Sequence, residues 1–562
     1  MRGNKIFNKS PVNFLFIAIL LTFAFFASFK TVFEIDYTNN QGVHSWLSAS
    51  TLKFVNNWLE ESPQNLHFIN FESPNSIEFN DLEERCPYIS YPSGSTLFVY
   101  IFARLFGKTQ IDISFLKHLQ NVLFLLEILL FAIFVYRFLG KIGIKSDVER
   151  SVVSLFSAGF WMWLPTNVWY LANIYFTDQC VILFVMAFLL VEYESYWCKS
   201  KVSSILLNVI KSFLIFAGIL MDYYFWILAF VAFIVMIARC IKAKTTVSKI
   251  IMSSLWYAIP VLLAVGFFAY QLFSISNWEE ILKNKFMFRA GFSDSEFNSP
   301  SFVLIHLCAN FIFAFGLTNL KMLPLVLLVV FALINSTKII RSEYKCAIAI
   351  KNTLLGNNGA IILIGIASPL LQIAFLKNHS AIHEFSMIKL GWCIAILPVI
   401  SSAFICKLWK FESKFNAFSS FFRLFSILFL CFVTITGVPF SSRDFYKSRK
   451  AEFHDHQLAD VLRNNTSFEN VCFSFSHEIP NYPPHELAIS RKRVYKINSI
   501  EDMHNLFPNL SKDAKKILVI EKNAVLADDK FSMQSALKKI NHTLYEDDNY
   551  VLLEIKQTKA EQ

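Results

Sequence analysis

Charge is scarce in this chain. Asp, Glu, Lys and Arg make up 17% of its 562 residues, against about 25% in ordinary soluble domains. With 55% hydrophobic residues and a mean hydropathy of +0.45, that shortage excludes a soluble globular protein and points to a membrane protein. Glycine is sparse too, at 16, and no Walker A loop or dinucleotide fingerprint occurs. Ten cysteines are present, but no C-x-x-C and no zinc-ligand spacing. Cys180, Cys240, Cys308 and Cys431 lie in apolar runs and read as small buried hydrophobes. Cys86 and Cys472 fall in regions expected to be exported, and nothing in the sequence pairs them.

What the chain has is long apolar runs. A hydrophobic stretch of about 20 residues crosses the hydrocarbon core. The expected spans are 11–32, 112–138, 151–167, 177–194, 203–220, 222–240, 251–273, 320–337, 359–376, 388–406 and 417–437. The first reads as a retained signal-anchor, being too long for a signal-peptide core. Segments 95–106 and 301–317 are apolar but are read as helices at or dipping into the interface.

The net charge of +10 does not call for a nucleic-acid partner, because the basic residues sit in short loops. Lys141, Lys145 and Arg150 share one loop; Lys199 and Lys201 another; Arg239, Lys242, Lys244 and Lys249 a third. Lys338, Arg341, Lys345 and Lys351 follow, then Lys407, Lys410 and Lys414. This positive-inside pattern puts the N-terminus in the cytoplasm and, with eleven spans, the C-terminus outside. The expected fold is thus a polytopic α-helical membrane protein of about 11 transmembrane helices. Residues 1–440 form the membrane domain, with 33–111 as its first external loop. Residues 441–562 form a small exported α/β domain, because strand-like runs at 471–475, 494–497, 517–520 and 550–555 alternate with helix-compatible stretches such as 451–463 and 530–540.

Glu34-Ile35-Asp36 directly follows the first span. One intervening residue sets both carboxylates on one side of an extended segment. Such a pair can hold a divalent cation, or one member can act as a general base; the plain alternative is a solvated helix end. Residues 42–59 then place apolar side chains at helical spacing, including Trp46 and Trp58. They read as an amphipathic helix on the membrane surface. Tyr91-Pro92-Ser93-Gly94 is a turn before an apolar helix.

This order of span, acidic E-x-D, amphipathic helix, turn and apolar helix resembles the first external loop of the GT-C glycosyltransferases. That superfamily includes protein O-mannosyltransferases and lipid A aminoarabinose transferases. The family commonly has Tyr-Pro-Pro-Gly where this chain has Tyr91-Pro92-Ser93-Gly94. Asp178, entering the fourth span after Asn173-Ile174-Tyr175-Phe176-Thr177, resembles the family's second acidic position; alternatively Thr177 or Asp178 caps the helix. The resemblance implies a sugar donor on a polyprenyl phosphate and a glycan, glycolipid or protein acceptor. It implies Asp36 as the base, with Glu34 and Asp178 orienting the acceptor or holding a cation such as Mg or Mn. The membrane would be a bacterial inner membrane, and membrane lipid a further partner.

Weaker candidates accompany these. Asp222, at the outer surface in the expected topology, lines the cavity or marks a turn. Lys283, Lys285 and Arg289 in an external loop bind a lipid phosphate or contact headgroups. His379 and His383, four residues apart, contact substrate or form an interfacial pair. The competing functional class is a transporter or flippase with an exported sensor domain. It would place charges near mid-span and show two related halves; the acids singled out here sit at outer helix ends, and no half-repeat is visible.

Overall fold

The computed structural model describes residues 10–31, 33–37, 42–72, 87–292, 299–315, 356–412, 443, 446–449, 457–466, 470–475, 494–497, 515–522 and 542–555. The expected spans 320–337 and 417–437 lie outside these residues, as does the expected helix 530–540. The chain divides into two compact units.

The first unit comprises residues 1–36, 117–269 and 279–449 and is helical. Its helices include α1 (Ser10–Thr31), then α4 (Ile113–Lys141), α5 (Asp147–Met162), α6 (Thr177–Ser195), α7 (Lys201–Met221), α8 (Tyr223–Lys242), α9 (Val247–Phe273), α10 (Trp278–Ala290) and α11 (Pro300–Phe315). Helix Asn357–Phe375, a short helix Lys377–Ile382, a 3-10 segment Glu384–Leu390 and helix Gly391–Glu412 follow. Among the described residues, six helical stretches are long and apolar enough to cross a membrane: Ile113–Lys141, Lys201–Met221, Tyr223–Lys242, Val247–Phe273, Asn357–Phe375 and Glu384–Ala403. The chain is an integral multi-pass membrane protein.

Serine and aspartate start these helices where the chain turns. Ser146 Oγ accepts from Glu149 N–H at 3.2 Å, and Asp222 Oδ1 accepts from Tyr224 N–H at 2.6 Å, each satisfying a donor with no intrahelical partner. Helix Asn357–Phe375 packs tightly beside Trp392. A Cβ on Gly365 would come within 2.3 Å of that ring, so only glycine admits the approach. Pairs α6–α7, α1–α5 and α8 with helix Asn357–Phe375 form the interior. Phe124, Phe131, Trp161 and Phe225 are fully buried there, while Phe213, Phe230 and Leu263 face outward.

The second unit comprises residues 37–116, 270–278 and 450–562. In its first part, α2 (Trp46–Glu61) packs on α3 (Gly94–Leu105), and β1 (Asn70–Phe71) pairs antiparallel with β2 (Pro87–Tyr88). This corrects the expected surface helix. Trp58 is fully buried, and its indole N–H donates to the Ile69 carbonyl at 2.9 Å. The polar residues read as a solvated face are buried and partnered: Lys53 pairs with Glu72 at 2.5 Å, and Asn56 exchanges two hydrogen bonds with the Ile111 backbone. The helical period was real, but both faces found protein partners.

The C-terminal part carries a five-stranded sheet in the order β4-β3-β5-β7-β6. These strands are β3 (Val471–Ser474), β4 (Val494–Lys496), β5 (Lys516–Glu521), β6 (His542–Glu546) and β7 (Tyr550–Glu554). β4, β3 and β5 are parallel, and β7 turns antiparallel to β5. Alternate residues feed opposite faces: Ile517 and Val519 pack with Leu458 and Leu462 of helix Gln457–Asn465, while Leu518 and Ile520 pack with Val471 and Phe473.

Candidate functional site

Apart from Tyr91 and its neighbours, the geometry below lies within the first unit. Past the end of α1 the chain stays folded back on it, through Phe33 N–H to the Ser28 carbonyl at 3.1 Å and Ile35 N–H to the Phe29 carbonyl at 3.3 Å. Phe33 and Ile35 point inward, Glu34 is exposed and Asp36 half-buried. The segment is not simply extended, as expected: Glu34 has φ of +50°, a left-handed conformation costing a non-glycine residue roughly 1 kcal/mol or more. Such strain persists only where surroundings hold it.

The hold comes from Lys117, near the start of α4. It is buried, and its ammonium donates to the Asp36 main-chain carbonyl at 2.7 Å and to Asn173 Oδ1 at 3.1 Å. One turn on, Gln120 Nε2 donates to the Tyr170 carbonyl at 2.8 Å. That carbonyl belongs to a π-helical turn, Asn167–Leu171, whose wider winding frees backbone acceptors.

Asp178 and Asp222 share one cation. Lys389 Nζ lies 2.5 Å from Asp178 Oδ1 and 3.3 Å from Asp222 Oδ2, and all three side chains are buried. Asp222 marks the α7–α8 turn, one of the two readings offered by the sequence: it closes α7, caps α8 and is fully enclosed in protein. Asp178 lies in the first turn of α6, whose N-cap position is Phe176, and takes part in a buried ionic triad. A charge cannot stay buried without a partner, so Lys389 is what lets two acids sit there.

Phe385 gathers the neighbouring aromatics. Its ring stacks on His383 with centroids 4.9 Å apart and meets Phe176 at 5.2 Å and His379 at 5.9 Å. His379 and His383 lie 4.7 Å apart. Burial, reinforced by Arg289 and His383, pushes His379 well below the usual histidine range, so it is neutral near pH 7. Arg289 also acts on Asp178. It shares the half-buried face of α10 with Lys285, whereas Lys283 points to the exposed side. Asn378 Nδ2 donates to the Phe288 carbonyl at 2.8 Å, tying that end of α10 to the histidine segment. A second ionic chain lies close by: Tyr170 hydroxyl and Arg449 both donate to Glu384, and Tyr446 packs on Phe33 at 5.9 Å and Trp169 at 5.2 Å.

The expected residues therefore divide. Asp178, Asp222, Arg289, His379 and His383 form one cluster with Lys389. Asp36, with Glu34, stands on a separately pinned turn joined through Lys117 and Asn173 to the segment leading into α6. Tyr91 belongs to the second unit, half-buried beside Ser93, whose hydroxyl accepts from Gln271 at 2.5 Å. No three His, Cys, Asp or Glu side chains converge as a metal-ligand set among the described residues, and Asp178 is taken by Lys389. The donors present thus do not assemble the three-carboxylate cation site considered from the sequence.

Sequence reasoning missed Lys389, Lys117, Glu384 and Arg449. Lys389 stands at the edge of the expected span 388–406, where a flanking charge is ordinary. Glu127 was missed as well: midway along α4 it is fully buried, and neither carboxylate oxygen has a hydrogen-bond partner among the described residues.

No protein-family profile matches the chain, and no curated protein matches it by sequence. Among the solved structures that resemble it in fold are two from different organisms. ArnT from Cupriavidus metallidurans, bound to undecaprenyl phosphate, superposes over 97% of both chains with a TM-score of 0.55 at 9% identity. The oligosaccharyltransferase of Archaeoglobus fulgidus, in complex with zinc and sulfate, superposes over 91% of this chain and 68% of its own, with a TM-score of 0.54 at 11% identity. Both are GT-C glycosyltransferases, and the fold of this chain is the GT-C fold.

Proposed function

We propose that the protein is a membrane glycosyltransferase that moves a sugar from a polyprenyl-phosphate donor to an acceptor hydroxyl on the exported face. The observation that carries this reading is the Asp36 turn. A half-buried carboxylate stands just past the end of the first helix, on a backbone whose carbonyl is held by the buried Lys117 ammonium. The GT-C fold and the lipid phosphate named with the similar ArnT structure support the donor class.

In this mechanism Asp36 takes the proton from the acceptor hydroxyl. The acceptor oxygen then forms a bond to the anomeric carbon as the bond from that carbon to the phosphate oxygen breaks, and the lipid phosphate leaves from the opposite face with inversion. Charge grows on the leaving phosphate, where a fixed cation stabilises the transition state. Arg289 suits that task, with Lys285 on the same helical face. Lys389 is already balanced by two carboxylates. Asp178 and Asp222 thus act through Lys389, fixing the entry to α6 and the α7–α8 turn, and His379, neutral near pH 7, with His383 beside it offers polar contacts to a sugar. Glu34 orients the acceptor. The acceptor is a glycan, glycolipid or protein.

The transport reading gains one observation, the buried Glu127, since intramembrane acids mark ion routes. A lone acid without a second, related half is thin support for it.

The test supplies purified protein with labelled polyprenyl-phosphate sugars and measures transfer and lipid-phosphate release. Asp36→Asn should lower turnover by about 10² to 10⁴ while leaving the fold intact, because the swap is nearly isosteric. Near-normal turnover in that variant removes Asp36 from the mechanism; lipid translocation without transfer favours the transporter.

A further inference from the structure

Helices α7 and α9 are braced together at a proline. Pro260 has no N–H, so the Trp256 carbonyl four residues earlier loses its intrahelical donor. Ser212 of α7 replaces it, its hydroxyl donating to that carbonyl at 2.9 Å. Beside the brace the two helices leave an open apolar groove of about 400 Å³, lined by Ser212, Phe213 and Phe216 of α7 and by Met252, Trp256 and Leu263 of α9. Phe213, Met252 and Leu263 are each more than half exposed, so the groove opens sideways into the bilayer.

One end of this groove is basic. Lys249, Met252, Trp256, Pro260 and Leu263 recur at spacings of three and four along α9, one continuous face. Lys201 precedes Ser212 by eleven residues, which at 3.6 residues per turn returns it to within about 20° of the same face of α7. Lys242 and Lys244 stand at the neighbouring end of α8. All four lysines are exposed and none has an ion-pair partner among the described residues. No acid occurs in 196–205 or 240–250.

We infer that the α7–α9 groove binds one anionic phospholipid of the bilayer, an acyl chain along the groove and the phosphate on Lys201 and Lys249. The groove starts about one to two turns from Lys249 and extends roughly a monolayer's depth from there. Charge at its mouth selects an anionic headgroup over a zwitterionic one. A sugar donor does not suit the position. The reacting groups belong with Asp222, which closes the other end of α7, and 21 residues of helix separate the two ends by about 30 Å. The exclusion of a sugar donor rests on the proposed function; the groove and its lysines do not.

Native mass spectrometry of the full-length protein in detergent tests it, with dioleoyl-phosphatidylglycerol and dioleoyl-phosphatidylcholine supplied together. One phosphatidylglycerol should be retained in clear preference. Lys201→Gln with Lys249→Gln should weaken that retention by about thirtyfold, from about 1 kcal/mol for each lysine. Both lysines are exposed, so thermal unfolding without added lipid should be unchanged. Met252→Trp, which fills the groove, should weaken both lipids. Equal retention of the two lipids by the unaltered protein, or an unchanged preference in the double variant, overturns the site. Displacement of the retained phosphatidylglycerol by an equal concentration of undecaprenyl phosphate overturns the choice of a bilayer phospholipid.

Discussion

At the scale of single residues, Lys389 holds the most charge in balance. Removing one partner from a buried ionic group typically costs 3–5 kcal/mol, because the remaining charge stays buried. Lys389→Met leaves two carboxylates without their cation and should lower thermal stability sharply in detergent. Adding Asp178→Asn and Asp222→Asn to it should recover much of the loss, and failure to recover would show that the lysine acts by something other than charge. His379 has a different signature. Its folded-state value lies below the ordinary 6.5, so the unfolded chain binds the proton more readily. Stability is then full above about pH 6.5 and falls as pH drops below it, by up to about 1.4 kcal/mol per pH unit. His379→Gln should flatten the slope of melting temperature between pH 6.5 and 5.5; an unchanged slope would assign it to other groups. At this scale the sequence was legible where a charge stood out against apolar surroundings, as at Asp36, Asp178 and Asp222. It was silent on pairing, since Lys389 meets Asp222 across 167 residues, and a lysine at a span's edge looks the same whether it faces headgroups or a buried aspartate.

At the scale of elements, hydrophobic length and period located the helices well. Expected spans at 112–138, 203–220, 222–240, 251–273 and 359–376 have counterparts in Ile113–Lys141, Lys201–Met221, Tyr223–Lys242, Val247–Phe273 and Asn357–Phe375. Four strand-like runs in the tail have counterparts in β3, β4, β5 and β7, because β-branched and aromatic residues cluster there. The strand His542–Glu546 was missed, being largely exposed and polar at an edge of the sheet. The instructive error is α2. Periodicity reports which residues alternate, not what covers the polar side, and here Asn56, Asn57 and Lys53 are covered by protein. It follows that Trp58 supports a folded core instead of anchoring to lipid. Trp58→Ala should cost about 3–5 kcal/mol, the usual loss for a buried large aromatic, and should raise proteolysis of the 37–116 region. An interfacial tryptophan would instead alter membrane association with little effect on proteolysis.

For the whole molecule, the described basic loops lie at the opposite end of the helices from the acids. Lys141 ends the helix that Lys117 begins; Lys201 starts the helix that Asp222 closes; Lys242 ends the helix that Asp222 caps. This arrangement is what a cytoplasmic N-terminus and an exported reaction face require. Impermeant maleimide applied to intact cells should label Gln64→Cys and Lys515→Cys but not Lys242→Cys; labelling at 242 from outside would invert the topology. The same charge arrangement also constrains how the protein is made. Asp222 leaves the ribosome 167 residues before Lys389, and at 5–20 residues per second that is roughly ten to thirty seconds. Asp178 waits longer still. During that interval α6 and α8 carry acids whose cation does not yet exist, so neither helix can settle as an independent span. The arrival of Lys389 supplies the missing partner, so a late segment completes helices made well before it.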